Sequence, residues 1–390
     1  LNFSFLYPIT NFQGSYLKRT RHLSEPNKNA MLRTAFILLI TIHALIHLMG
    51  FAKAFGLAEF EQLSQPISRA RGLWWLPAAV LILLSMVLFT VKQSWWWLPA
   101  LIGAALSQVL IIQYWQDAKW GTIANVVLLL VALVGWGQWQ FERSVQNDLN
   151  DFWSADEQER KTIDQPGFSN LPNQVQQWLH YAGISEQGGS DQVHIRQLGK
   201  MRTSPDGGWM DFTAEQWFDV TNPAFLWYAE VGGKSFMQLR GKDRLLDGRG
   251  HMLIKLFGLL PIVDAQGTEI DQGTLVRYLS EMIWFPAAAL EDYLQWEALD
   301  EQRVRATLRV GEQSVNGIFF FNSSGQVIAF EADRYYQRDG KSSLETWHID
   351  IDENSWQTFR GIKIPTKAGV SWKLADGDFT WLELEIVDLD

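Results

Sequence analysis

The stretch TEIDQGTLVRYLSEMIWF, residues 268–285, is the one long helical pattern in a region that otherwise reads as strands. Leu275, Leu279 and Met282 recur on one side, and Thr268-x-x-Asp271 has the form of an N-terminal cap. On both sides of it the hydrophobic period changes. From Val193 onward come short alternating runs such as TAEQWFDV, FLWYAEV, HMLIKLF, RVRATLRV, GIFFFN and VSWKLA. Alternation places every second side chain on one face of a strand. Asp206-Gly207, Asp247-Gly248, Ser324-Gly325, Asp339-Gly340 and Asp376-Gly377 separate the runs and accept the positive φ that tight hairpins need. Short turns make successive strands antiparallel. The expected fold for 171–390 is therefore a mainly antiparallel, strongly curved sheet, a half-barrel, with the helix across its concave face. Such a shell either fills its own core or leaves a lipid-sized cavity. A shorter amphipathic helix opens it, with Leu171, Val175, Trp178, Leu179 and Ala182 on one side and Gly183 as the stop.

Upstream, residues 142–170 are polar and contain Pro166-Gly167, which reads as a linker. Before that lie four apolar stretches, 34–52, 73–91, 95–114 and 121–139. Each is near the ~20 residues a helix needs to cross about 30 Å of hydrocarbon. Trp74, Trp75, Trp95, Trp96, Trp97, Trp115, Trp120, Trp136 and Trp139 sit at their ends, at the depth amphipathic rings prefer. The links are short, so 31–141 is expected to form a four-helix transmembrane bundle, multi-pass, with both termini on one side. Residues 1–30 resemble neither a signal peptide nor an ordered element, and Met31 is an alternative start. Orientation depends on them. With them, seven cations lie on the N-terminal side against four on the other; without them the count is three against four, and the positive-inside rule no longer decides.

Within the first span, His43 and His47 stand one turn apart on one helix face, where two imidazoles can share a metal ion but cannot clamp a haem from opposite sides. The other spans offer Ser85, Ser107, Gln108, Gln113, Thr122 and Asn125 as weak or distant metal-ligand candidates, and Gln108 and Asn125 as the hydrogen-bond partners expected for the imidazoles. Two readings stay open: neutral imidazoles hydrogen-bonded across helices, or a membrane enzyme or redox centre using the pair with metal, quinone or haem. On the strand-rich side, Arg277 and Glu281 are also one turn apart, with Tyr278 and Trp284 close by. These four, with Trp209 and Trp227 from the aromatic strands, are the candidate ligand-binding residues; the alternatives are an ordinary intrahelical ion pair and core aromatics.

The strings QLGKMR (197–202), WMDFTAEQWF (209–218), NPAFLWYAE (222–230), DAQGTEIDQG (264–273) and RYLSEMIWFP (277–286), with GIKIP (361–365) and the closing Trp372 and Asp376-Gly377, form a series. It resembles a family of bacterial proteins known only as a domain of unknown function, over about 171–387. The most specific piece is RYLSEMIWFP, an RYLxExxWxP-type motif. That resemblance implies a bacterial protein and supplies no catalytic residue; with the four apolar spans, the expected location is the bacterial inner membrane. More loosely, the expected half-barrel closed by a helix is similar to the LolA and LolB lipoprotein-carrier fold, whose cavity holds acyl chains; the likeness is one of architecture.

Composition narrows the function classes. The chain has no cysteine, which removes disulfide scaffolds, thiolate metal sites and thiol nucleophiles. Residues 1–144 carry 11 Lys+Arg against 5 Asp+Glu, and the remainder 22 against 38. An acidic second half without a basic cluster is unsuited to nucleic acid. No phosphate loop, nucleophile elbow, HExxH or dinucleotide fingerprint is present, so no cofactor is expected and no reaction is assigned. The resulting expectation is a membrane protein whose β-rich domain binds an apolar or amphipathic ligand, or an unidentified protein partner, at the bilayer surface.

Overall fold

The computed structural model describes residues 28–156, 168–184, 191–232, 238–338 and 340–390. Residues 1–27 of the N-terminal extension, 157–167 of the expected linker, and Asp339 of its turn lie outside the described residues. The chain divides into two compact units, up to Gly135 and from Trp136 onward.

The first unit is helical: α1 (Lys28–Ala54), α2 (Arg69–Thr90), α3 (Trp97–Gln113), the one-turn α4 (Trp115–Ala118) and the start of α5 (Gly121–Asp156). Three of these helices, α1, α2 and α5, are long and apolar enough to cross a membrane. The fourth expected span, α3, has 17 residues. At 1.5 Å per residue that is about 25 Å, a turn short of the hydrocarbon thickness. Small residues let these helices approach closely: Ala44, Ala100, Ala104 and Ala132 are wholly buried in one core. A Cβ at Gly103 would stand 3.0 Å from Ile82 Cγ1. Outward-facing residues are apolar, including Ile42, Leu45, Val80, Val109 and Leu130, as in a bundle whose solvent is lipid.

The second unit begins with the last turns of α5. The stretch 142–156, expected to be linker, is helix instead. Phe141, Val145, Leu149 and Phe152 recur on one face and are buried. Opposite the apolar stripe's flanks, Glu142 meets Arg240 at 2.9 Å, while Asp148 binds Lys242 and reaches Arg244 at 2.9 Å. Polar composition concealed a helix that docks on a sheet.

That sheet has thirteen strands, β1 (Gln192–Met201), β2 (Met210–Asp219), β3 (Ala224–Val231), β4 (Leu239–Leu246), β5 (Arg249–Leu256), β6 (Leu260–Gln266), β7 (Leu294–Ala298), β8 (Arg303–Val310), β9 (Gln313–Phe321), β10 (Val327–Arg338), β11 (Lys341–Ile351), then β14 (Lys367–Leu374) and β15 (Gly377–Leu389). The remaining two, β12 (Trp356–Phe359) and β13 (Ile362–Pro365), form a separate hairpin. All pairings are antiparallel. Two meanders, β6 to β1 and β14-β11-β10-β9-β8-β7, meet on either side of β15, so the first strand pairs with the last. The β4–β5 hairpin turns on Asp247 (φ 50°) and Gly248 (φ 70°), both left-handed as a two-residue turn of this type requires.

Helix α7 (Thr268–Glu281) connects the two edge strands and packs on β4, β5 and β6 from one meander and β8, β9 and β10 from the other. It therefore lies across the concave face of a half-barrel. Its first residue is Thr268, with Gly267 as N-cap and no side-chain cap bond, so the expected Thr268 cap is not made. Asp271 instead accepts the Gly250 backbone N–H at 2.7 Å and ties the helix start to β5. Leu275, Val276 and Leu279 are fully buried with Phe218, Phe225, Leu245 and Phe330 of the sheet. Helix α6 (Asn173–Ala182) adds Val175, Trp178 and Leu179 to the same core and ends at Gly183 in the left-handed region, as its sequence indicates.

Candidate functional site: a buried charge cluster under the crossing helix

Directly opposed residues in antiparallel strands share a face. Gln216 on β2, Trp227 on β3 and Asp243 on β4 are such a row, and α7 lies above it. Arg277 Nη1 donates to Asp243 Oδ2 at 2.6 Å, and its Nε and Nη2 donate to Glu281 Oε1 at 3.0 and 2.9 Å. Gln216 Nε2 donates to the other Glu281 oxygen at 2.6 Å. Gln197 then donates to Gln216 Oε1 and accepts from Trp227 Nε1, both at 3.0 Å. The Arg277 guanidinium also stacks over Phe225 and Trp227, 4.8 and 5.5 Å from the ring centres. Thus the helical pair at 277 and 281 is no surface ion pair; it is one corner of a network reaching four strands.

Burial acts on these groups unequally. It works to lower the Arg277 pKa, but the two carboxylates more than offset this and hold the guanidinium above its ordinary value. Glu281 is raised, because loss of water outweighs the one guanidinium that it shares with Asp243.

A second arginine enters from the other meander. Arg334 on β10 lies over Trp347 of β11 and Trp372 of β14, 5.0 and 5.9 Å from their centres. Its side chain tucks beneath α7 where the helix carries Gly273; a Cβ there would stand 3.0 Å from Arg334 Nε. Burial first, and repulsion from Arg277 second, pull its pKa down to about 10. Among the described residues, no carboxylate or carbonyl takes its N–H groups. Across the cluster, Asp243 Oδ1 is buried and likewise has no partner among the described residues. Arg334 is half-buried and Asp243 is near enough to act on its charge, so a carboxylate oxygen left buried without a partner beside two arginines is unusual, since such groups are normally satisfied. Met201, Met210, Leu239, Tyr336 and Leu374 are partly buried apolar residues packed against the same core. A separate cavity of about 370 Å³ opens beside the start of α7, lined by Arg249, Asp271, Gln272 and Gln313 among others.

Of the residues singled out in the sequence, Arg277, Glu281 and Trp227 meet in the cluster. Tyr278 points elsewhere: its hydroxyl donates to the Asp219 carbonyl at 2.8 Å and lies 2.9 Å from Tyr293 Oη, a buried arrangement that raises both phenol pKa values. Trp284 is a core side chain. Trp209 stands just before β2, seven residues from Gln216, about 23 Å along the strand, with Lys200 and Arg202 over its ring. Asp243, Gln197, Gln216 and Arg334 were not singled out; nothing local marks them, because their partners come from distant strands.

In the helical unit, His43 Nε2 lies 2.8 Å from Asn125 Oδ1 and 3.2 Å from Ser107 Oγ, and His47 Nε2 lies 2.7 Å from the same hydroxyl. Asn125 Nδ2 donates to Gln108 Oε1 at 3.0 Å, and Gln108 Nε2 to Thr122 at 3.2 Å. The four residues expected to interact are joined, with Ser107, another of the polar residues those spans offer, within reach of both histidines. Among the described residues, no group of three or more His, Cys, Asp or Glu could hold a metal ion.

Comparison with known proteins adds the following. No curated protein matches the chain at a significant level. Among solved structures, it is similar to a "putative outer membrane lipoprotein-sorting protein domain" from Vibrio parahaemolyticus, at 8% identity and a TM-score of 0.29, over 55% of this chain and 91% of that one. It is also similar to a β-barrel-like protein of domain of unknown function DUF1849 from Brucella abortus, at 14% identity and a TM-score of 0.20, over 51% of this chain and 96% of that one. Likenesses this distant say nothing of a ligand. Residues 161–384 match the family of unknown function DUF6544, and this is where the resemblance carried by RYLSEMIWFP leads. With more than half of its 390 residues inside that match, the chain belongs to the DUF6544 family.

Proposed function

We propose that the half-barrel is a binding module for an amphipathic ligand with an acidic head, carried on a membrane-anchored bundle in which α3 completes a set of four spans. The observation that supports this reading is Arg334, held between Trp347 and Trp372 without an acceptor for its N–H groups among the described residues. An acidic head supplies that acceptor, and a hydroxyl or amine on the same head supplies a donor for Asp243 Oδ1. Partly buried apolar residues of the sheet, among them Met201, Met210, Leu239 and Tyr336, would take the chain that follows the head. A bridging water is the simpler occupant of the same space.

Full-length protein extracted in detergent and analysed by native mass spectrometry separates the two. The expected result is a co-purified acidic amphiphile at one per chain, absent from Arg334→Gln. A wild-type protein that carries no such mass, and takes none up from a mixture of anionic lipids, overturns the reading and leaves a water-filled structural cluster.

A further inference from the structure

The helical unit contains a group of donors that the hydrogen-bond network leaves over. Asn125 uses Nδ2 toward Gln108, so its Oδ1 accepts, and His43 Nε2 must carry the proton that it accepts. Ser107 lies within reach of both histidines and has one proton to give. It cannot give it to His43 Nε2, which already bears one, so it donates to His47 Nε2. His47 is therefore the tautomer protonated at Nδ1. That Nδ1–H is buried without a partner among the described residues, as are the indole N–H of Trp75 and the hydroxyl of Tyr114. The three rings are in sequence: His47 to Trp75 centres 5.3 Å, Trp75 to Tyr114 centres 5.6 Å. All three residues are at most 2% exposed.

Three adjacent donors without an acceptor, inside an apolar bundle, define what would fit. Lone donors in hydrocarbon are costly, so the complement is an acceptor oxygen. The buried polar residues of this unit, among those described, are His43, His47, Ser85, Ser107 and Asn125. None is an obligate charge, so an anion would find no counter-ion and a neutral carbonyl is preferred. The donors are carried on neighbouring flat rings, which suit a planar head over the tetrahedral ester region of a phospholipid. The site lies toward the end of the bundle where α1 finishes, α2 begins and α3 ends at Tyr114. Asp117 ties the α1–α2 connection over that end through Ser64 Oγ at 2.6 Å and Gln65 N at 3.0 Å.

We propose that this end of the helical unit is a binding site for the carbonyl oxygen of an uncharged, planar, lipid-soluble ligand of the quinone class, held by His47 Nδ1–H, Trp75 Nε1–H and Tyr114 Oη–H. It is independent of the half-barrel site.

The test uses full-length protein in lipid nanodiscs and a benzoquinone with a decyl chain as the probe, its bound amount measured by chromatography against empty nanodiscs. Saturable uptake at one per chain is expected. Trp75→Phe and Tyr114→Phe keep a ring and remove the donor, and each is expected to weaken binding about tenfold, the worth of one lost hydrogen bond. Arg334→Gln should bind the probe as the wild type does. The carbonyl infrared band of the bound probe should move to lower frequency in the wild type and return toward the free value in both variants. Uptake equal to empty nanodiscs, or unchanged affinity and carbonyl band in both Phe variants, overturns the proposal and leaves water or lipid on these donors.

Discussion

The two units bury polar groups in opposite ways. The helical unit encloses imidazoles, amides and hydroxyls, none an obligate charge, linked in one line from Thr122 to His47. The half-barrel encloses Arg240, Lys242, Asp243, Asp271 and Glu281, each fully or nearly removed from solvent. The difference is the one expected of the proposed arrangement, a half-barrel in water carried on a bundle in lipid. A domain folding in water can bring a charge in if several partners replace the lost hydration, and Arg277 has two carboxylates and two rings. A bundle that folds in lipid would have no water to trade, which favours interior polarity made from groups that can stay neutral.

That contrast can be tested by cutting each network. The largest effect is expected from Asp243→Ala, which strips Arg277 of one of its two carboxylates. Its cost should be about 3–5 kcal/mol, read as a loss of denaturant midpoint followed by the strand signal in circular dichroism. Asp148→Ala comes next. It leaves Lys242 and Arg244 without their shared partner and should cost about 3 kcal/mol, with the α5 end becoming open to proteolysis while the sheet persists.

Acidity offers a third probe. Glu281 has its folded pKa raised above the ordinary carboxylate value of 4.5 by burial. Below that value it is protonated whether folded or not. As pH rises past it, the unfolded chain ionises freely while the folded one resists, so stability is lost up to the raised folded value. Glu281→Gln should therefore gain on the wild type as pH increases through that window, measured as the difference in melting temperature. A difference that stays flat with pH would show that Glu281 is ionised without penalty and that the enclosure is wetter than drawn.

Neutral contacts should matter less. Asn125→Ala is expected to cost about 1 kcal/mol, and a loss as large as that of Asp243→Ala would erase the distinction between the units. Gly273→Ala is expected to be the mildest. Helix propensity favours alanine by about 1 kcal/mol, while the new methyl presses on Arg334. Stability should stay within about 1 kcal/mol of the wild type, but the guanidinium must shift, visible as altered Trp347 and Trp372 fluorescence.

How far the sequence carried depended on range. Alternating strands and hairpin turns are written in neighbouring residues, so the curved antiparallel sheet and the helix across it were legible. So was the pairing of Arg277 with Glu281, one turn apart. Asp243 and Gln216 are 34 and 65 residues from their partners on α7, and only strand register, which no local pattern states, puts them there. The α5 extension was a different failure: Phe141, Val145, Leu149 and Phe152 do show helical spacing, but the polar residues between them made the stretch look like a connector. Trp209 drew notice as a large ring, and ring size alone does not say which end of a strand faces the interior.

Because β1 is zipped to β15, the middle of the thirteen-stranded sheet is sewn by residues nearly two hundred positions apart, Ile195 opposite Leu389. The seam cannot close on a ribosome until the last strand has left the exit tunnel. Until then, two unfinished meanders must wait with open strand borders, a topology that favours slow closure and dependence on chaperones. Trimming even the final strand would leave two separate ribbons where there had been one shell.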